Sequence, residues 1–202
     1  MKVRDVEFAA IDFESAGVAR GQTDVPIQIG LATLRGGVID GQFRSYLHTD
    51  RPVAWSAKKV HGIDDADLVG APTLHALWPE LKSRLASRWT VSHGAGTEKR
   101  FLRAFPGHGF GPWVDTLSLF QAALPETDSH SLSALAVACG CEAECHALVP
   151  DFRWHDALCD AVASLVLLRW LIAHCELAAV PADALLNPDR ARYYALRSSR
   201  PQ

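Results

Sequence analysis

The sequence predicts an α/β fold with a mixed sheet, in which three antiparallel strands are followed by parallel strands and helices flank the sheet. Three observations support this prediction. Residues 6–48 contain three strand-like segments separated by turn signals. Strand-like and helix-like segments then alternate from residue 73 onward. A long apolar segment, 156–177, has the composition of a buried helix.

The first three strands are predicted from their apolar content and from the turn residues that separate them. The segment VEFAAIDFES (6–15) is mostly apolar, which is typical of a central strand. PIQIGLATLR (26–35) alternates, and the Gly-Gly turn at 36–37 leads into VIDGQFRSYLH (38–48). A polar, glycine-bearing loop joins the first two segments, and the three strands are predicted to form an antiparallel meander.

The rest of the chain alternates helices and strands. TLHALWPELKSRLAS (73–87) has apolar residues at helical spacing, with Thr73 as a cap. The later segments predict a short strand (89–95), a helix (97–105), a strand that enters a helix (112–120) and a helix ended by Gly140 (129–140). The predicted domain covers residues 1–177, and 178–202 is expected to be a C-terminal extension or tail.

Composition limits the classes of function. The chain has 202 residues, enough for one domain, and its formal net charge of −3 gives no strongly basic surface for nucleic acid. Any such contact must therefore depend on local patches or bound metal. Acidic residues in the first ten positions argue against a secretion signal, and Arg169 interrupts an apolar stretch too short to span a membrane. We therefore expect no membrane partner.

The five cysteines, without an expected export signal, favour reduced thiols in a cytoplasmic protein. Three of them lie beside His146 in CGCEAECH, but the spacing matches no zinc template. Buried core thiols are the favoured interpretation, and a structural zinc ion is the alternative.

Two acids at the end of the first strand raise the question of a metal site. On a strand, Asp12 and Glu14 point to the same face, whereas Phe13 points away. Adjacent carboxylates repel each other unless a positive charge lies between them, and a divalent metal is the simplest candidate. The alternative is a strand end at which both acids face water.

Four further residues occur at strand ends or helix starts. Glu98 falls in the opening turn of a helix, and Asp115 ends a strand. His155 lies at the entrance of the long helix, and Asp160 lies about one turn further in, so both can reach one small volume. Each has a simpler explanation: Asp115, like Asp156, fits a helix cap, Glu98 favours a helix dipole, and a lone histidine is usually structural.

In combination, the order of these motifs resembles that of the DEDDh exonucleases. This DnaQ-like group includes the proofreading subunit of bacterial DNA polymerase III, RNase T and oligoribonuclease. The similarity runs from about residue 6 to residue 175 and includes PIQIGLATL, VHGID (60–64), DTLSLF and HSLSALA. The resemblance implies a ribonuclease H-like fold and two Mg²⁺ or Mn²⁺ ions. It also implies that nucleoside monophosphates are released from a single-stranded 3′ end of DNA or RNA.

The resemblance assigns roles by matching position. It implies metal binding by four acids, Asp12, Glu14, Glu98 and Asp160, and a general-base role for His155. Two metals about 3.5–4 Å apart can align water and leaving oxygen, and a histidine pKa of about 6.5 suits proton transfer near neutral pH. The candidate substrate contacts are Phe13, Ser15, His61 and His93. Phe13 could instead pack in the core, and His61 could instead hold the long loop after the third strand.

One departure concerns the second acidic motif, where the family usually has Asp instead of Glu98 and His-Asn instead of His93-Gly94. The longer side chain could still serve as a ligand, favour Mn²⁺, or mark a degraded site; the first interpretation is favoured. Two other functions stay open: a binding module for nucleic-acid ends or a polymerase partner, and a hydrolase of small phosphodiesters. A homodimer, as in some relatives, is also compatible with the sequence.

Overall fold

A five-stranded mixed sheet forms the centre of the fold in the computed structural model, which describes residues 1–18 and 23–188. The strand order is β3-β2-β1-β4-β5. β1 pairs antiparallel with β2, and β2 pairs antiparallel with β3. β4 pairs parallel with both β1 and β5. The predicted three antiparallel strands followed by parallel strands are therefore confirmed.

The strands are β1 (Phe8–Ser15), β2 (Pro26–Arg35), β3 (Val38–Tyr46), β4 (Trp89–Ser92) and β5 (Trp113–Asp115). The α-helices are α1 (Trp55–His61), α2 (Trp78–Leu85), α3 (Gly96–Phe101), α4 (Thr116–Ala123), α5 (Leu132–Ala138), α6 (Glu142–Leu148) and α7 (Ala157–His174).

Helices cover both faces of the sheet because β1 alternates. Phe8 and Ala10 point to the face on which α7 packs, together with α4, α5 and α6. Ile11 and Phe13 point to the other face, where they pack with residues of α2 and α3. β1 is therefore buried on both sides, which agrees with its mostly apolar sequence.

Helix α7 is the predicted long buried helix. By length and composition Ala157–His174 could cross a membrane, yet 72% of that window is buried inside the fold. Its N-terminal end lies directly on β2: a Cβ atom added at Gly30 would lie 2.1 Å from the carbonyl group of Ala157. Only glycine allows the two backbones to come this close.

Two predicted segments differ in detail. The helix expected over 73–87 is divided into a 3-10 turn, His75–Leu77, and α2. Pro79 explains the division, since proline has no N–H to donate and favours the first turn of a helix. The cysteine-rich segment forms α6, which the sequence analysis did not predict, and all five cysteines are free thiols.

The segment after α7 returns to the N-terminus. It forms 3-10 turns over Leu177–Ala179 and Ala182–Leu185, and the backbone N–H of Ala182 donates to the Met1 carbonyl at 3.1 Å. The domain boundary at residue 177 stays a prediction. Residues 189–202 of the predicted tail lie outside the described part of the chain.

Candidate active site

The end of β1 provides two carboxylates on the face covered by α7. Asp12 and Glu14 point to the same face of the strand as Phe8 and Ala10, because they follow them at even spacing. The pairing of β1 with β2 shifts register between Glu14 and Ser15. Phe13 points the other way. It is buried and packs edge-on against Phe101 of α3, with ring centroids 5.4 Å apart. This is the core position that the sequence analysis left open as the alternative to stacking on substrate.

The start of α7 brings a histidine and a third acid to the same place. Ligand atoms of Glu14, His155 and Asp160 all lie within 4.8 Å of one another. His155 is exposed and has a left-handed backbone, with φ of 61°, immediately before the helix begins. Asp160 is 8% exposed. The predicted convergence of a histidine and a carboxylate at this helix start is therefore present.

The fourth acid, Glu98, lies in the first turn of α3 and is 4% exposed. Asp115 fixes the turn that leads into this helix: its carboxylate accepts hydrogen bonds from the backbone N–H groups of Gly94, at 2.9 Å, and Ala95, at 3.3 Å. Asp115 also caps α4 through the N–H groups of Leu117 and Ser118. It is therefore a cap, as the simpler interpretation held, and it also orients the segment that carries Glu98.

Burial raises the pKa values of all four acids, and the charges of nearby carboxylates add to this effect. Burial, followed by the charges of Asp160, Glu98 and Glu14, raises the pKa of Asp12 well above its usual range. Burial and the charge of Asp160 raise the pKa of Glu14 to about 8. Burial raises the pKa of both Glu98 and Asp160 to about 7. Such a cluster is costly to ionise without a cation.

These residues fit a divalent cation. The Oε2 atom of Glu98 and the Oδ1 atom of Asp160 are buried oxygens that have no hydrogen-bond partner. Carboxylate oxygens are the ligands that Mg²⁺ and Mn²⁺ prefer, and buried polar atoms without a partner are rare in folded proteins. Asp12 and Glu98 lie outside the tight group of Glu14, His155 and Asp160, but the charge of Glu98 acts on Asp12.

His61 serves the loop before α2. Its Nδ1 atom accepts the backbone N–H of Ile63 at 3.0 Å, so Nε2 carries the proton that is donated to the Ser15 carbonyl at 3.1 Å. Burial lowers the pKa of His61, which agrees with a neutral ring. His61 thus ties the end of β1 to the end of α1, which is the loop-holding interpretation.

His93 joins β4 to the approach of α5. Its Nε2 atom lies 2.7 Å from the carbonyl oxygen of His130, which can only accept, and its Nδ1 atom lies 3.0 Å from the Thr116 hydroxyl. Burial lowers the pKa of His93. The roles of Phe13, Ser15, His61 and His93 toward substrate stay predictions.

The structure adds two residues that the sequence analysis missed. Gln28 of β2 and Arg44 of β3 both donate hydrogen bonds to the buried carboxylate of Asp156, the N-cap of α7. Nothing in the local sequence identifies them, since each is more than a hundred residues from Asp156 along the chain.

The cysteine cluster has the chemistry of core thiols. Burial raises the pKa of Cys145 and of Cys139 to about 12. A thiol with a raised pKa is a poor nucleophile and a poor metal ligand, because both roles require the thiolate. The favoured interpretation of these residues as core fillers agrees with this environment.

Sequence comparison identifies the family. A family model described as "Exonuclease", the RNase_T family, matches residues 9–168. The chain belongs to this exonuclease family. Among curated relatives, it is 29% identical over 173 residues to a PolC-type DNA polymerase III of Thermotoga maritima, covering 83% of this chain and 12% of that protein. It is 27% identical over 137 residues to the DNA polymerase III subunit epsilon of Aquifex aeolicus, covering 65% and 67% of the two chains.

Solved structures share the fold. Exonuclease X, in complex with 5′ overhanging duplex DNA, superposes with a TM-score of 0.68 at 24% identity, covering 85% of this chain and 97% of that one. The nuclease domain of 3′hExo, a DEDDh family member bound to rAMP, gives a TM-score of 0.66 at 17% identity, covering 90% and 99%. These likenesses confirm the predicted ribonuclease H-like fold.

The comparisons thus confirm the predicted family. They also confirm the predicted enzyme class, since this is a family of exonucleases. The exonuclease family is metal-dependent, in agreement with the carboxylate and histidine group at the end of β1. The chain spans only a small part of the PolC-type relatives. The roles of individual site residues stay predictions.

Proposed function

We propose that this chain is a 3′–5′ exonuclease that removes nucleoside monophosphates from nucleic-acid 3′ ends with the help of divalent cations. The observation that carries the proposal is the meeting of Glu14, His155 and Asp160 within 4.8 Å at the end of β1. Family membership over residues 9–168 supports the same function.

The residues of the site would have two roles, metal binding and proton transfer. Two Mg²⁺ or Mn²⁺ ions, when bound, would align the attacking water with the leaving oxygen and neutralise the developing charge. The acids that would hold them are Asp12, Glu14, Glu98 and Asp160. His155 would take a proton from the attacking water. Because its ring is exposed, it could pass that proton to solvent.

Charge explains why substrate binding would depend on the cations. Four clustered carboxylates repel phosphate groups, and the net charge of −3 provides no compensating field. Arg153 is half-exposed beside the site, and its charge only partly offsets burial and the neighbouring acids, which raise the pKa of Glu14 to about 8. We therefore expect phosphate to bind only after the acids are neutralised by metal.

The test is a gel assay with 3′- and 5′-labelled single-stranded DNA and RNA in Mg²⁺, Mn²⁺ or EDTA. We expect stepwise shortening from the 3′ end that is lost in EDTA and in Asp12→Ala. Asp50→Ala, which alters a 98% exposed carboxylate, is the matched control and should keep full activity. A folded wild-type protein that shortens none of these substrates with either metal would contradict the proposal.

Metal-dependent nucleotide release in this assay decides between an enzyme and a binding module, and variants of Glu98 test whether this acid serves as a ligand. If it is a ligand, Glu98→Gln should reduce activity by about 100-fold or more, whereas a dispensable side chain would leave the rate unchanged. Glu98→Asp tests whether the longer side chain is required, since it shortens the reach by one methylene group. A polymerase partner, a homodimer and a cytoplasmic location remain predictions.

A further inference from the structure

A fifth carboxylate, outside the four acids of the proposed metal site, joins α7 to the sheet. Asp156 is fully buried. Its Oδ1 atom accepts the backbone N–H groups of Leu158, at 3.2 Å, and Cys159, at 3.4 Å, as an N-cap does. Its Oδ2 atom accepts from Gln28 Nε2 and from Arg44 Nη1, each at 3.0 Å. One side chain thus bonds the helix with one oxygen and the sheet with the other.

Gln28 completes the connection. It is fully buried, and while its amide nitrogen donates to Asp156, its amide oxygen accepts the backbone N–H of Ala157 at 2.9 Å. Two residues further along β2, Gly30 lets the same turn of α7 rest directly on the strand. These contacts set both the distance of the first turn of α7 from β2 and the rotation of that turn about the helix axis.

Both site residues of α7 depend on that turn. His155 directly precedes Asp156 and has the left-handed backbone, with φ of 61°, that non-glycine residues adopt only with support from their surroundings. The backbone N–H of Asp160 donates to the carbonyl of Asp156 at 2.9 Å. A displacement of Asp156 would therefore move the histidine and the acid together, away from Glu14.

We propose that Gln28, Arg44 and Asp156 are positioning residues, which hold His155 and Asp160 against Glu14 in the geometry that the reaction needs. This inference rests on the proposed exonuclease function. Burial acts to raise the pKa of Asp156, but the hydrogen bond from Gln28, the charge and hydrogen bond of Arg44 and the backbone N–H of Cys159 together lower it.

One substitution separates positioning from capping. Asparagine caps helices as well as aspartate, so Asp156→Asn keeps an oxygen for the N–H groups of Leu158 and Cys159. Its NH₂ group then replaces Oδ2 and faces Gln28 Nε2 and Arg44 Nη1, which are also donors. The helix keeps its cap and loses its connection to the sheet.

A second substitution should restore the connection. In Asp156→Asn combined with Gln28→Glu, the new carboxylate at position 28 can accept from the asparagine NH₂ and from the N–H of Ala157, which are the two contacts that Gln28 makes there. The direction of the central hydrogen bond is reversed, and the total charge of the pair is unchanged. Recovery in the double variant would be a signature that loss of the cap alone could not produce.

The experiment measures kcat and KM on labelled single-stranded DNA in Mn²⁺, and Mn²⁺ affinity by calorimetry without substrate. For Asp156→Asn we expect about 10- to 100-fold losses in kcat and in Mn²⁺ affinity with little change in KM, measured well below the unfolding midpoint. That midpoint should itself fall, because the Gln28 and Arg44 donors lose their buried acceptor. The double variant should recover most of both losses. Arg35→Ala, which removes an exposed arginine paired with Asp40 at 3.3 Å, is the matched control and should change neither.

Three results would overturn the inference: wild-type kcat and Mn²⁺ affinity in Asp156→Asn, an equal loss in Arg35→Ala, or a folded double variant without recovery. If Asp156→Asn does not fold, Arg44→Ala, at a half-exposed side chain, provides the same comparison. If the wild-type protein cleaves no substrate, the proposed function fails, whereas the Mn²⁺ affinities still decide whether these residues position the site.

Discussion

Gly30→Ala is the sharpest test of how closely α7 lies on β2. The added Cβ atom would lie 2.1 Å from the Ala157 carbonyl group and 2.2 Å from the Leu158 nitrogen. Ordinary contact starts at 3.4 Å, so the backbone of α7 has to retreat by about 1.3 Å, the difference between 3.4 and 2.1 Å. Overpacking of this kind typically costs about 1–3 kcal/mol of unfolding free energy. A misplacement of about 1 Å at a catalytic group can cost about 100-fold in rate.

The assay pairs urea unfolding with exonuclease rates in Mn²⁺. Gly96→Ala is the control for stability, because nothing lies within 4 Å of a Cβ there and alanine favours the helix by up to about 1 kcal/mol. We expect Gly30→Ala to lose both stability and rate, and Gly96→Ala to keep its stability. A Gly30→Ala protein within about 0.5 kcal/mol of wild type and with full activity would refute direct backbone contact between α7 and β2.

Three further predictions concern side chains around the site. Phe13→Ala should lower the unfolding free energy by about 3–5 kcal/mol, while Phe13→Leu should keep KM; a raised KM in a stable Phe13→Leu would instead indicate substrate contact. Burial holds the pKa of His93 below the usual 6.5. As the pH falls, this histidine is therefore protonated in the unfolded protein before it is protonated in the folded one, and its contribution to stability is lost below pH 6.5. The stability difference between wild type and His93→Gln should therefore shrink between about pH 7.5 and 5.5, and a difference that does not change with pH would contradict the lowered pKa. Cys145 and Cys159, with pKa values of about 12 and 11, should react with Ellman's reagent only after unfolding, and rapid reaction in the native protein would show that these thiols are accessible.

Local patterns in the sequence predicted the parts of the site that lie on one element. Strand alternation placed Asp12 and Glu14 on one face, and the helix period placed Asp160 one turn after His155. The contacts of Gln28 could not be predicted in this way, since its partner Asp156 lies 128 residues away and neither periodicity nor capping rules link two such positions. Helix α6 was missed because its seven residues are shorter than the windows in which a helical period is visible.

The order of the three residues 12 to 14 explains how one strand organises both sides of the site. Asp12 and Glu14 face α7, which brings Asp160 and His155 toward them. Phe13, between them, must point to the opposite face, where it packs on Phe101 of α3. Glu98 lies three residues before Phe101, so the two are neighbours on one side of that short helix. Phe13 therefore packs against the helix that carries the fourth acid, although its side chain points away from the carboxylates. The size of Phe13 thus affects the position of Glu98 without any contact with substrate.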